Sequence, residues 1–282
     1  MRRADGAPKS IKGALRRLDV RPSKRRGQNF VIEDSVIRTI LEFGQPMQGE
    51  RLVEIGPGLG ALTRGLSAFP GLVVIEIEQR FCAELKLAYP DITVIEADVR
   101  SVDLSAIGND LVIFGNLPYS LSTEIISLLL NQATTLRRAV LMLQREFVER
   151  LAAQPGGRDY GAISLGCRLW ADIMAGPIIP GDAFHPPAAV ESRLIELRFL
   201  KSPRMEVADT AAFRRVVKAA FMKRRKKVIN SMKSSGYYPI EPLTRALAEA
   251  EIDPGRRAET LSFEEFVRLY RALEQFSKIM SR

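Results

Sequence analysis

Histidine and cysteine are almost missing from this chain, which holds His185, Cys82 and Cys167 and no others of either kind among 282 residues. A zinc site or a disulfide framework therefore has almost nothing to draw on, and no metal is expected. Long apolar runs are missing too: no stretch of about 18 or more uninterrupted apolar residues occurs, and the opening residues lack the apolar segment and small-residue cleavage site of a secretory signal. Membrane spanning and export are excluded on this reading, and a cytoplasmic location is expected, with an Arg-rich organelle-targeting peptide as the alternative for the first residues. Acidic residues are scarce at both ends. Residues 1–27 carry ten basic and two acidic side chains and residues 201–282 carry eighteen and ten, whereas residues 28–200 carry fourteen and twenty-one. An acidic body flanked by segments able to neutralise phosphates is the expectation.

What is present is enough apolar side chain, 46% of the residues, to bury a substantial core. The basic opening stretch, with Arg2, Arg3, Lys9, Lys12, Arg16, Arg17, Lys24, Arg25 and Arg26, has little apolar periodicity and is expected to be flexible in part. From Glu33 to Phe43, Val36, Ile37, Ile40 and Leu41 recur at helical spacing. Short apolar runs then alternate with amphipathic stretches, the pattern of a parallel sheet with helices on both faces. Strands are expected at Leu52–Ile55, Val73–Glu76, Thr93–Ile95, Leu111–Phe114, Ala139–Leu143 and Leu194–Phe199. Helices are expected at Ala61–Phe69, Gln79–Leu87, Ser122–Gln132, Arg145–Ala153 and Ala162–Leu169. Gly176–Pro187, rich in Pro and Gly, predicts a loop bounded by a strand or two. Past Pro203 the alternation stops and the chain reads as helical, notably Thr210–Met222, Glu241–Glu251 and Ser262–Phe276. The predicted division is a basic arm over 1–27, a catalytic α/β domain over 28–202 and a small all-helical domain over 203–282.

Leu52-Val-Glu-Ile-Gly-Pro-Gly-Leu-Gly-Ala-Leu-Thr63 sets a glycine-rich turn between a predicted strand and a predicted helix. Glycine lets the backbone turn tightly and approach a ligand, and the first strand-to-helix crossover of such a sheet lies where ligands bind. Glu76 ends the second strand, where a carboxylate accepts from both ribose hydroxyls; Asp98 follows the third, suited to an adenine amine. A nicotinamide cofactor would call for the same features. Two observations favour S-adenosylmethionine instead. Glu54 stands two residues before Gly56, unsuited to a pyrophosphate but suited to a sulfonium and an α-amino group, and Asn116-Leu-Pro-Tyr119 ends the fourth strand. Adenine's exocyclic nitrogen is a poor nucleophile whose lone pair is delocalised, so its methylation needs alignment more than a strong base. The Asn116 side-chain carbonyl and the Leu117 backbone carbonyl can accept the two amine hydrogens, Pro118 stiffens the turn, and Tyr119 offers a ring for an extruded base.

Together these motifs resemble the ribosomal RNA adenine N6,N6-dimethyltransferases, which modify two adjacent adenosines near the 3′ end of small-subunit ribosomal RNA. The similarity runs from Arg26 onward and extends to Gly27-Gln-Asn-Phe-Val-Ile-Glu-Asp34, Gln144-Arg-Glu146, Asp159-Tyr-Gly-Ala-Ile-Ser164 and Phe184-His-Pro-Pro-Ala-Ala-Val-Glu-Ser192. The resemblance implies a Rossmann-like class I methyltransferase sheet, cofactor contacts at Asn29, Val31, Gly56, Glu76, Asp98 and Asn116, and Phe184 as a second stacking surface. Phe221-Met-Lys-Arg-Arg-Lys-Lys227 looks like the basic element of these enzymes rather than of the large-subunit adenine methyltransferases that share the Asn-x-Pro-Tyr core. Lys223, Arg224, Arg225, Lys226 and Lys227, with the basic arm, are expected to grip RNA phosphates within a pre-ribosomal particle. A monomer is expected. A non-catalytic RNA-binding factor on the same fold is the competing class. Ser120 and Val31 depart from the usual Asn and Leu, and residues 1–20 exceed what many bacterial members carry.

Overall fold

The computed structural model describes residues 11–20 and 29–280. In chain order its elements are α1 (Ile11–Arg17), β1 (Phe30–Val31), α2 (Asp34–Gly44), β2 (Arg51–Ile55), α3 (Thr63–Leu66), β3 (Val73–Glu76), α4 (Gln79–Ala88), β4 (Thr93–Glu96), β5 (Leu111–Asn116), α5 (Ser122–Asn131), β6 (Leu136–Gln144) and α6 (Arg145–Ala152). There follow α7 (Ala162–Trp170), β7 (Ala171–Ile179), β8 (Phe184–His185), β9 (Ser192–Phe199), α8 (Thr210–Phe221), α9 (Val228–Ser234), α10 (Ile240–Glu249) and α11 (Phe263–Met280). Two compact units result: residues up to 148 with 172–201, and residues 149–171 with 202 onward. The chain leaves the first unit within α6, returns at Asp172 and leaves again after Lys201.

The first unit is built on a seven-stranded sheet in the order β4-β3-β2-β5-β6-β9-β7. Five strands from β4 to β6 pair in parallel, and β9 runs antiparallel to β6. Strands covered on both faces are rich in apolar side chains, and β2 and β5 are so: Leu52, Val53, Ile55, Leu111, Val112, Ile113 and Phe114 are all buried, with Glu54 the buried polar exception in β2. After β2 the chain steps to β3 and β4 on one side and then crosses back to β5 on the other, so the order reverses beside β2. At such a switch point the carboxyl ends of neighbouring strands diverge and leave a crevice. A two-stranded antiparallel pair, β1 with β8, joins Val31 to Phe184 in register.

Two expectations need correction. The predicted loop over Gly176–Pro187 begins too early, because β7 continues through Gly176 and Pro177 to Ile179. A proline that cannot donate to the ladder is tolerated there since β7 is the outermost strand of the sheet. The helix expected over Ala61–Phe69 shortens to α3. Part of the basic arm is ordered: Ala14 and Leu15 of α1 are buried with Phe30, Leu59 and Phe81. Arg80 Nη1 donates to the Leu18 and Asp19 carbonyls at 2.8 Å each, satisfying acceptors that α1 leaves open at its end. Arg2, Arg3, Lys9, Lys24, Arg25, Arg26 and Gly27 lie outside the described residues.

The second unit forms its own core. The expected catalytic domain over 28–202 loses residues 149–171 to it, because Tyr160, Leu165 and Leu169 bury their side chains among Phe213, Val217, Leu247 and Phe266. Aromatic rings interlock there: Phe213 meets Phe263 and Tyr270 edge-on at centroid distances of 6.1 and 5.9 Å, and Phe221 stacks on Phe266 at 5.7 Å. Asp209 caps α8 by accepting from the Ala211 and Ala212 N–H groups at 2.8 and 2.9 Å.

One buried ion pair secures the first unit. Arg138 on β6 donates to Glu50 at 2.8 Å, to the Gln45 carbonyl at 3.1 Å and to the Gly44 carbonyl, so one guanidinium joins the carbonyls at the end of α2 to one oxygen of the Glu50 carboxylate. That oxygen also accepts the Met47 N–H at 3.0 Å, while the other lies 3.7 Å from Arg137. Removing one partner strands the other charge away from water. Arg138→Met should therefore lower stability by about 3–5 kcal/mol in denaturant unfolding; a loss below about 1 kcal/mol would show that Glu50 finds compensation elsewhere.

Candidate active site

At the carboxyl ends of β2, β3 and β5 lies a cavity of about 640 Å³, a size suited to a nucleoside-sized ligand. Its wall includes Asn29, Val31, Glu54, Gly56, Glu76, Asp98, Asn116, Leu117, Pro118 and Tyr119, residues that five separate stretches of sequence had nominated.

The crossover after β2 owes its shape to glycine. Gly56 has φ of +67°, and a Cβ there would meet no atom within 4 Å, so the bare backbone faces open cavity. Gly58 has φ of +56°, and a Cβ would come within 3.0 Å of the Phe30 ring. Glu76 then fixes the loop: one carboxylate oxygen accepts the Gly58 N–H at 3.0 Å, while the other accepts those of Ile77 and Glu78 at 2.8 Å each. Burial still raises its pKa above the ordinary value despite these three donors. Glu76 is thus both the expected ribose acceptor and the strut of the glycine loop.

Glu54 is 2% exposed, and Thr63 Oγ1 donates to it at 2.7 Å. Burial pushes this carboxyl up to about 8, the Thr63 hydrogen bond pulls against that, and the nearby Glu76 adds to it. Asp98 differs from expectation. It lies on the wall, but Arg100 holds both its oxygens, with Nη2 at 2.6 Å and Nε at 3.0 and 3.1 Å, and lowers its pKa. Arg100 also reaches Glu124 on α5 at 2.6 Å. An adenine amine would have to share Asp98 with this guanidinium.

The turn after β5 is held at several points. The Leu117 N–H donates to the Met142 carbonyl of β6 at 3.2 Å, and the Pro118 carbonyl accepts from the Leu121 N–H at 3.0 Å and the Ser122 hydroxyl at 3.3 Å. Asn116 Nδ2 donates to the Asn29 carbonyl at 3.0 Å. That bond orients the amide: its nitrogen is committed to the segment before β1, and its oxygen is left as an acceptor. Tyr119, half-buried, places its hydroxyl 2.7 Å from Ser192 Oγ.

Phe184 is not brought to this wall. Its side chain is 1% exposed and packs in the core with Val31, Ile37 and Phe114, so a base could stack on it only after that packing opened. The five basic residues belong to the other unit, where they occupy the turn between α8 and α9 rather than a helix, all of them exposed. Arg224 is committed within that unit, donating to the Arg158 carbonyl and, at 3.1 Å, to that of Tyr160. Thr63, Arg100 and Ser192 were missed as site residues. The Asp98-x-Arg100 spacing was legible, whereas nothing local in the sequence connects Ser192 with Tyr119.

The family profile described as ribosomal RNA adenine dimethylase matches residues 21–275 of this chain. Ribosomal RNA small subunit methyltransferase A of Syntrophotalea carbinolica is 42% identical, with 91% of this chain and 98% of the relative covered. The protein of the same name from Myxococcus xanthus is 40% identical over 94% of this chain and 95% of its own. Among solved structures, a dimethyladenosine transferase from Plasmodium falciparum shares the fold at a TM-score of 0.74 and 21% identity, covering 88% of this chain and 98% of that one. The 23S rRNA methyltransferase ErmE does so at 0.66 and 24%, covering 88% and 100%.

The Glu54 carboxyl gives a pH signature. Its ordinary value is 4.5 and its folded value about 8, so between these the folded chain holds one more proton than the unfolded chain. Stability of the ligand-free protein therefore falls as pH rises through that window and levels off above it. Glu54→Gln should flatten the slope and be the more stable form at about pH 8.5 by a few kcal/mol in thermal or denaturant melts; parallel profiles for the two proteins would place the carboxyl's titration elsewhere.

Proposed function

The chain belongs to the ribosomal RNA adenine dimethylase family, and from that premise we propose that it methylates two adjacent adenosines near the 3′ end of small-subunit ribosomal RNA, twice each on the exocyclic amine. It is an S-adenosylmethionine-dependent rRNA adenine methyltransferase. Relatives named for the small subunit at 42% and 40% identity favour that substrate over the large-subunit alternative.

The residues present fit the cofactor. Open space over Gly56 admits the ligand against bare backbone, Glu76 keeps lone pairs for ribose hydroxyls, and the apolar Ile77 and Val99 line the cavity beside Asp98. When bound, S-adenosylmethionine supplies a methyl group already activated for displacement by its sulfonium. Glu54, kept protonated by burial, is favoured to ionise beside such a cation.

The orientation of Asn116 carries the reading. Because its nitrogen is turned to the Asn29 carbonyl, its oxygen is the end available to accept one hydrogen of the target amine, and on this reading the Leu117 carbonyl takes the other. Two acceptors draw the nitrogen toward tetrahedral geometry and direct its lone pair. Tyr119 supplies the ring on which the extruded base rests. No strong base is needed, which suits a site without histidine.

Phosphate contacts fall to the turn between α8 and α9, and since Arg224 is committed to carbonyls within its own unit, Arg225 and Lys226 are the stronger candidates. A pre-ribosomal particle as the substrate, a monomeric state and a cytoplasmic setting complete the proposal. Among the described residues no helix is long and apolar enough to cross a membrane.

Two experiments test this. Asn116→Ala should reduce methyl transfer to unmethylated small subunits by at least about 100-fold while cofactor binding by calorimetry persists; wild-type turnover would remove Asn116 from the chemistry. Arg225→Ala with Lys226→Ala should weaken RNA binding and shrink the slope of log affinity against log salt by roughly one for each phosphate no longer neutralised; an unchanged slope would take this turn out of RNA binding.

A further inference from the structure

We infer that Ser192 is a positioning residue for the target base, holding the Tyr119 ring in place through the hydroxyl–hydroxyl bond between them. The two oxygens lie 2.7 Å apart, and either can donate. This inference rests on the reading that Tyr119 receives the extruded adenine.

The bond joins parts of the chain 73 residues apart, and the sheet explains why they meet. Tyr119 sits three residues beyond the end of β5, which pairs with β6 to the register Asn116–Met142. Ser192 opens β9 on the far side of β6, opposite Gln144. Its place is set firmly. Its side chain is fully buried, the Arg145 N–H donates to the Glu191 carbonyl at 3.0 Å, and the Arg145 guanidinium reaches the Glu191 carboxylate at 2.8 Å. The serine is therefore a rigid post mounted on the strand next to the one that anchors Leu117.

A tyrosine side chain rotates about two bonds. A hydrogen bond at its hydroxyl fixes the first, which swings the ring bodily, while it biases the second only through the preference of the phenolic O–H to lie in the ring plane. Two residues before Tyr119, the Leu117 N–H ties the turn to the Met142 carbonyl of β6; at its tip, the Tyr119 ring is tied to β9. A ring held at both ends presents one surface to an incoming base, whereas a ring held only at its backbone samples several and orients the base less often toward Asn116. The hydroxyl contributes no chemistry to methyl transfer on this account. Its effect is on the fraction of bound adenines that are aligned, so it acts on turnover and not on the cofactor.

The test compares Tyr119→Phe, Ser192→Ala and the double variant on unmethylated small subunits at saturating RNA and cofactor. Tyr119→Phe keeps the ring and leaves β9 untouched, which separates loss of the bond from any disturbance of folding. Each single change should lower kcat about 3- to 10-fold, the size of one net hydrogen bond. The double variant should be no slower than the slower single one, and S-adenosylmethionine affinity by calorimetry should match wild type in all three. Wild-type kcat for Tyr119→Phe, losses that multiply in the double variant, or cofactor affinity that falls in step with kcat would each overturn the inference. Tyr119→Ala tells this apart from failure of the underlying reading: it should lose far more activity than Tyr119→Phe. Wild-type turnover from Tyr119→Ala would overturn the base-stacking role itself, and the inference with it.

Discussion

A primary amide has two ends of nearly equal size and opposite hydrogen-bonding character, so what it can do to a substrate depends on which end is already taken. In this protein the Asn29 carbonyl takes the nitrogen of Asn116. The rest of the site is arranged around that choice. The segment before β1 must run close to the end of β5 for the bond to form, and the β1–β8 pair, with Val31 opposite Phe184, holds it there. Burial of Phe184 reads as a consequence: its ring is part of the packing that supports β1.

Carboxylates in this site do more than one job. Glu76 is placed to meet a ribose, yet it also accepts three backbone N–H groups and thereby shapes the glycine crossover. Asp98 points to the same cavity but is held by Arg100, which also reaches α5. Glu54 stays protonated because burial outweighs its hydrogen bond from Thr63. Negative charge is thus available near the cavity, but in forms that a ligand must draw out.

Charge is divided between the two units in the same spirit. The sheet-bearing unit carries the cavity, and the helical unit carries the exposed basic turn. Even within that turn the five cations are not equivalent, since Arg224 spends donors on the backbone between α6 and α7. Phosphate contact sets position without choosing a base, and the choice is left to the pocket.

Much of this was legible in the order of residues. Central strands such as β2 and β5 are buried on both faces and read as short, mostly apolar runs, so the parallel sheet and its order of strands and helices could be written down from the pattern of residues. The glycine crossover, Glu76 and Asn116-Leu-Pro-Tyr119 were likewise visible, because each motif is contiguous or sits at a strand end. The extent of the edge strand β7 was not visible, since Gly176 and Pro177 signal a break wherever the neighbouring strand is unknown. Nor was the transfer of residues 149–171 to the helical unit, because an amphipathic helix shows that it has an apolar face without showing what will cover it. The hydrogen bonds of Asn116 with Asn29, of Arg100 with Asp98 and Glu124, and of Tyr119 with Ser192 were decided by the fold. Sequence fixes which groups can donate and accept; only the register of strands distant in the chain determines which of them meet, and hence which atoms remain for a substrate.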